Sequence, residues 1–180
     1  MRALILPLCL LLPGLALAEP PVEKAQALLK AKDCDQLLLS FENAKPTGGA
    51  EDLALARVLG QATSGPCASD KVVAFSLGTA AARLSPKDPE VLVAAAGAAR
   101  GAGMNGEAAE LLDRAIAAAP AEARPRVARA ELALAEQEPA TALRVLEPVK
   151  GSGRGQALYQ QAQKVQRASS AEQDQLRKGE

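Results

Sequence analysis

Histidine and tryptophan are absent from the 180 residues, and aromatic side chains make up only 2% of them. Without histidine the chain loses the commonest general base, the commonest neutral metal ligand and every Ser-His or Cys-His catalytic pair. Cysteine is scarce too, at three residues, and two cysteines without histidine make a poor zinc site. Neither sign of charge is in excess: Lys and Arg total 21, as do Asp and Glu. Such a balance leaves no basic surface for nucleic acid. Strand formers are sparse and never alternate for long, which argues against a sheet. Beyond the N-terminal segment, charges recur too often for any stretch to span a bilayer.

What is present is alanine. Apolar residues make up 48% of the chain, and with so few aromatics much of that share is alanine, the best helix former. The expected fold class is all-α.

The opening "MRALILPLCLLLPGLALAEP" has the order of a secretory signal. Arg2 precedes an apolar run from Ala3 to Leu17, and small residues flank Leu17 before Glu19. Pro7, Pro13 and Gly14 interrupt the run, which is short for a membrane span; a retained anchor is the alternative. A lipoprotein signal needs a small residue before its cysteine, and Leu8 precedes Cys9. Residues 1–18 are therefore expected to be a cleaved signal, leaving a chain of net charge near −1 in the periplasm or outside the cell.

Helix punctuation recurs along the rest. Val22, Ala25, Leu28 and Leu29 share one helix face, and Leu37, Leu38 and Phe41 a second, capped by Asp33 or Asp35. "PTGG" at 46–49 is a break, and Leu55, Val58 and Leu59 mark the next helix. Ser69 or Asp70 caps the following one. Asp88-Pro89-Glu90 combines an N-cap, a first-turn proline and an acid at the positive helix end. Ala108, Leu111, Leu112, Ala115 and Ile116 then recur at helical spacing. The glycines at 151–155 read as a linker before a last polar helix from about Gln156 to Arg177, with Leu158, Ala162 and Val165 on its inner side.

The punctuation is periodic. Pro86 and Pro120 lie 34 residues apart, as do Ala108 and Ala142. One helix pair cannot bury its apolar face alone, so a repeat of this length is a packing period. About four pairs fit into residues 19–155, with 156–180 as a capping helix and tail.

These units resemble the tetratricopeptide repeat family. In the unit from Pro89 to Glu122, Leu92 stands at the family's tryptophan position, Ala95-Ala96 at its Leu-Gly pair and Ala99 at its tyrosine. Gly103 matches the turn glycine, and Ala108, Leu112, Ala115 and Pro120 match the second helix and closing proline. The units Leu55–Asp88 and Ala123–Gln156 match through Ala74, Ala81 and Pro86, and through Ala142, Leu146 and Val149. Arg126 and Arg129 fall on apolar positions, which a one-residue slip would hand to Val127, Ala130 and Leu134. The resemblance implies an α-solenoid whose first helices line a groove for a protein or peptide. Val93, Arg100, Val127 and Glu131 are its candidate groove residues. The asparagine of the family's carboxylate clamp is missing from these helices, so that specificity is not carried over.

Three other patterns read as scaffold. Gly101, Gly103 and Gly106 match G-x-G-x-x-G, but a dinucleotide site needs a preceding strand, and these glycines follow a helix. Glu107 and Glu110 sit near a helix start, where acids serve the dipole. "RPRVAR" at 124–129 is a small basic patch suited to an acidic partner. No catalytic residue, cofactor or metal is expected.

Loss of Cys9 with the signal leaves Cys34 and Cys67, an even pair in an oxidising compartment. Each precedes the second helix of its pair, and they lie 33 residues apart, close to one repeat. A disulfide between them is predicted; two buried thiols are the alternative. The functional expectation is a non-catalytic adaptor of the bacterial envelope. The alternative is a structural subunit docked through its C-terminal helix.

Overall fold

A computed structural model describes residues 20–151 and 153–178. The signal reading of residues 1–18, with Cys9, lies outside them. The described residues are all-helical. In order they form α1 (Pro21–Ala31), α2 (Cys34–Phe41), α3 (Ala50–Ser64), α4 (Lys71–Leu84) and α5 (Pro89–Gly101). Then follow α6 (Asn105–Ala118), α7 (Ala123–Ala135), α8 (Pro139–Leu146), a 3₁₀ turn (Glu147–Val149) and α9 (Gly153–Lys178).

Local chemistry sets the helix starts. Asp33 accepts from the Gln36 amide at 3.1 Å, so it caps α2 in place of Asp35. Asp70, not Ser69, caps α4, accepting from Val72 and Val73 at 3.0 and 3.1 Å. Asp88 caps α5 through the Val91 amide at 2.9 Å.

The turns inside the pairs share one hydrogen-bond pattern. Asp33 donates to the Leu28 carbonyl, Cys67 to Ala62, Met104 to Ala99 and Glu138 to Ala133. In three of them the preceding residue, Lys32, Gly103 or Gln137, is left-handed, at φ 58°, 80° and 61°. This is the Schellman closure of a helix end. The G-x-G-x-x-G stretch is thus a helix–helix turn, with Gly103 at the position that glycine fills at least cost.

Packing follows chain order. The odd helices touch in sequence, α1 on α3, α3 on α5, α5 on α7 and α7 on α9. Within the middle of the chain, α4 and α6 each contact the odd helix before and after them. Glycine against alanine makes this closeness possible: a Cβ on Gly78 of α4 would lie 3.1 Å from the Ala95 Cα of α5. The core falls into three clusters. Leu37, Leu55, Leu59 and Leu77 anchor the first, Leu92, Leu112 and Leu132 the second, and Ala130, Ala133, Leu146 and Ala162 the third.

The first pair is short and is held by more than packing. Cys34 and Cys67 form a disulfide with their Cα atoms 5.6 Å apart. Arg83 of α4 donates to the carbonyls of Glu42 and Ala44, just beyond α2. The loop before α3 wraps Asp52, which accepts from the Thr47 and Gly48 amides at 2.7 Å and the Thr47 hydroxyl at 3.0 Å. Burial pushes the Asp52 carboxyl up, but hydrogen bonds from Gly48, Thr47 and Gly49 together outweigh it and hold it below its ordinary 3.8. A depressed folded-state pKa gives stability that is complete above the unfolded value and is lost as pH falls through the folded one. Asp52→Asn is therefore expected to melt below the parent at neutral pH, with the gap closing as pH falls through the depressed folded-state pKa. A gap independent of pH would show that the charge is irrelevant.

Two local expectations, on the glycines at 151–155 and on Val165, are corrected. The glycines at 151–155 are not all linker: α9 begins at Gly153, and Gly155 is buried where a Cβ would strike the Val149 carbonyl oxygen. In α7 the one-residue slip is met: Ala130 is buried and Val127 and Leu134 pack against the third cluster, with Pro125, Leu132 and Ala133 buried as well. Arg126 and Arg129 flank that face. Arg126 donates to the Val145 and Pro120 carbonyls, and Arg129, 11% exposed, lies 3.3 Å from Asp113. The head of Arg126 finds carbonyl oxygens, whereas Nε and Nη1 of Arg129 are buried with no hydrogen bond beyond the ion-pair contact to Asp113. Val165 is 38% exposed, because α9 runs on past the body that covers Ala162.

Candidate docking groove

The best candidate surface lies where α3, α5 and α7 come side by side. A groove of about 300 Å³ is lined there by Thr63 and Ser64 of α3, Val93, Ala94, Gly97 and Ala98 of α5, and Arg124 of α7. Ala68, Lys71, Ala74 and Gly101 complete the lining. Beside it, a shallower depression is lined by Arg57, Gly60, Gln61, Glu90 and Arg124.

Backbone spacing explains the floor. A Cβ on Gly60 would touch Ala94 at 3.5 Å, so α3 and α5 meet through glycine and alanine. A Cβ on Gly97 would meet nothing within 4 Å. Glycine inside a helix costs stability relative to alanine. Gly78 is explained by its neighbour helix; Gly97 has no such reason inside the fold.

Ion pairs link the successive odd helices. Arg57 reaches Asp88 at 2.9 Å, Arg124 reaches Glu90 at 3.9 Å, and Arg100 reaches Glu131 at 4.0 Å. Glu131 also meets Arg154 of α9 at 2.5 Å. The Arg124–Glu90 pair is loose, with side chains 67% and 64% exposed, and such pairs contribute little.

The four sequence candidates are placed unequally. Val93 is partly buried and lines the groove. Arg100 and Glu131 are brought together in the ion-pair chain just described. Val127 is partly buried against the third core cluster, which occupies part of its surface. Sequence reasoning missed Lys71, because it lies on a second helix. One signal was available: Lys71 is the first residue of α4, where the helix dipole disfavours a cation. Its ammonium donates to the Ala68 carbonyl at 3.1 Å, and no carboxylate among the described residues pairs with it.

Outside the Asp52 loop, the shifted titrations lie at the 3₁₀ turn and α9. Hydrogen bonds from Lys150 and then Tyr159 hold the Glu147 carboxyl below its usual range, and the same bonds raise both donors. This trio ties the 3₁₀ turn to α9 and holds its charges fixed, which suits a brace rather than proton transfer. Among the described residues no group of three His, Cys, Asp or Glu could hold a metal, and no helix is long and apolar enough to cross a membrane. The chain matches no protein-family model and no curated protein.

Proposed function

We propose that this chain is an exported, non-catalytic adaptor: a short α-solenoid of tetratricopeptide-like helix pairs that holds another protein against α3, α5 and α7. The observation that carries the reading is the succession of odd helices, each packed on the next, with an open groove along α5. The recurring turn supports it: the Met104 and Glu138 amides close equivalent helix ends 34 residues apart, matching the spacing of Pro86 and Pro120. The disulfide supports export, since such bonds persist in oxidising compartments. The mechanism is binding alone.

Recovery of the tagged chain from its native envelope tests this. A discrete partner in near-stoichiometric amount is expected with the parent. Val93→Arg, which blocks the groove, should reduce that partner about tenfold, equivalent to about 1.4 kcal/mol. No stoichiometric partner, or equal recovery with the variant, would rule out docking through this face.

A further inference from the structure

We infer that Asn105–Gly106 is a site of spontaneous covalent modification. Asn105 loses its side-chain nitrogen and becomes isoaspartate or aspartate, so the chain carries a mark of its age at the start of α6. The inference does not depend on partner docking.

Gly106 is the first observation. In "GAGMNG", Gly103 serves the turn through its left-handed φ of 80°. Gly106 lies inside α6 without a positive φ, and a Cβ there would meet nothing within 4 Å. Alanine would fit and would favour the helix. The fold gives no reason for glycine at 106, whereas its chemistry with the preceding asparagine has a definite outcome. With no Cβ beside it, the Gly106 nitrogen can approach a carbonyl carbon that a side chain at 106 would shield.

Position is the second. Asn105 and Gly106 are the first two residues of α6, whose amides have no intrahelical acceptor. The first bond of the helix runs from the Ala108 amide to the Met104 carbonyl at 3.0 Å. Met104, at the N-cap, accepts nothing through its side chain. Asn105 is partly exposed, and no hydrogen bond among the described residues holds its carboxamide. Helix ends open locally at little cost, which frees Asn105 to leave the helical conformation and close a ring.

Asn43, the other asparagine of the chain, is the internal contrast. Its carboxamide donates to Glu42 at 3.3 Å, and the residue after it is Ala44.

The step balances without an added reagent. Hydroxide removes the Gly106 amide proton, and the nitrogen attacks Cγ of Asn105. A cyclic imide closes as the Cγ–Nδ2 bond breaks, and Nδ2 leaves as ammonia, protonated by water. Water then opens the imide. Opening at the former side-chain carbonyl gives aspartate; opening at the main-chain carbonyl leaves Gly106 bonded to Cγ and gives isoaspartate. The sum consumes water and releases ammonia, and nothing is oxidised or reduced. Aspartate there adds a charge that the helix dipole favours. Isoaspartate lengthens the main chain just before Ala108, which is fully buried in the second cluster.

Incubation of the whole chain at mildly alkaline pH, followed by mass mapping of its peptides, tests this. Asn105 should convert to both products at a rate within about tenfold of that in a blocked peptide spanning residues 101–109. Asn43 should stay intact over the same time. Gly106→Ala should slow conversion at Asn105 at least about tenfold, and the parent rate should rise with pH. A rate at Asn105 more than about tenfold below that of the peptide would overturn the assignment, because the fold would then protect the site. Equal conversion at Asn43 would overturn it as well. So would conversion indifferent to Gly106→Ala, which would mark direct hydrolysis of the carboxamide.

Discussion

Replacing Cys34 and Cys67 together with serine is expected to lower the unfolding free energy by about 3–4 kcal/mol, from loop closure over the 33-residue separation. The local setting raises the stakes. Helix α2 has only 8 residues, and the first pair buries few large side chains, chiefly Leu37 and Phe41. Without the staple, Arg83 and the Asp52 loop remain to hold it. Reduction should therefore release α1 and α2 before the rest, a local opening visible as early loss of amide protection at residues 24–41. Uniform loss across all helices would mean that the bond stabilises the fold only as a whole. Serine variants within about 0.5 kcal/mol of the parent would remove the staple from the explanation of stability.

Truncation before Gly153 is the second large effect. It removes Leu158, Tyr159 and Ala162 from the third cluster, along with the Tyr159 hydroxyl bond to Glu147 at 2.9 Å. Exposing the surface they cover should cost about 3–5 kcal/mol, at about 1.5–3 kcal/mol for a well-buried large side chain. Chain-end repeats need such a cover to stay soluble. The truncated chain should melt earlier and bind an apolar dye. A second truncation after Gln166 removes residues of which every described side chain is exposed, and should leave melting unchanged. If both truncations melt alike, α9 is not a cap.

Much of this architecture is legible in the chain itself, for physical reasons. Capping aspartates and first-turn prolines act within a few residues, so Asp88-Pro89 marks the start of α5 from sequence alone. Alanine and leucine at helical spacing identify the buried faces of α5 and α6 because burial there follows the helix period. The cysteine pair is inferred from spacing and compartment, and the bond joins those two residues.

What stays hidden depends on neighbours distant in sequence. Gly153 and Gly155 read as a linker, yet Gly155 is helical because its missing side chain lets α9 sit against Val149. Arg129 breaks the apolar pattern of α7 and is still nearly buried, since Asp113 of α6 lies beside it. The groove is similarly concealed. Val93 belongs to a first helix and follows from the period, whereas Lys71 lies on a second helix and reaches the groove only through the packing of α4 on α5.

Placing a photoreactive side chain at Val93, and separately at Leu39, in the native envelope tests partner docking most directly. Val93 lines the groove, whereas Leu39 is 68% exposed on α2 and does not line it. Irradiation should join the Val93 derivative to one protein of discrete mass and leave the Leu39 derivative unjoined. No adduct at Val93, or the same adducts at both positions, would contradict a protein held against α3, α5 and α7.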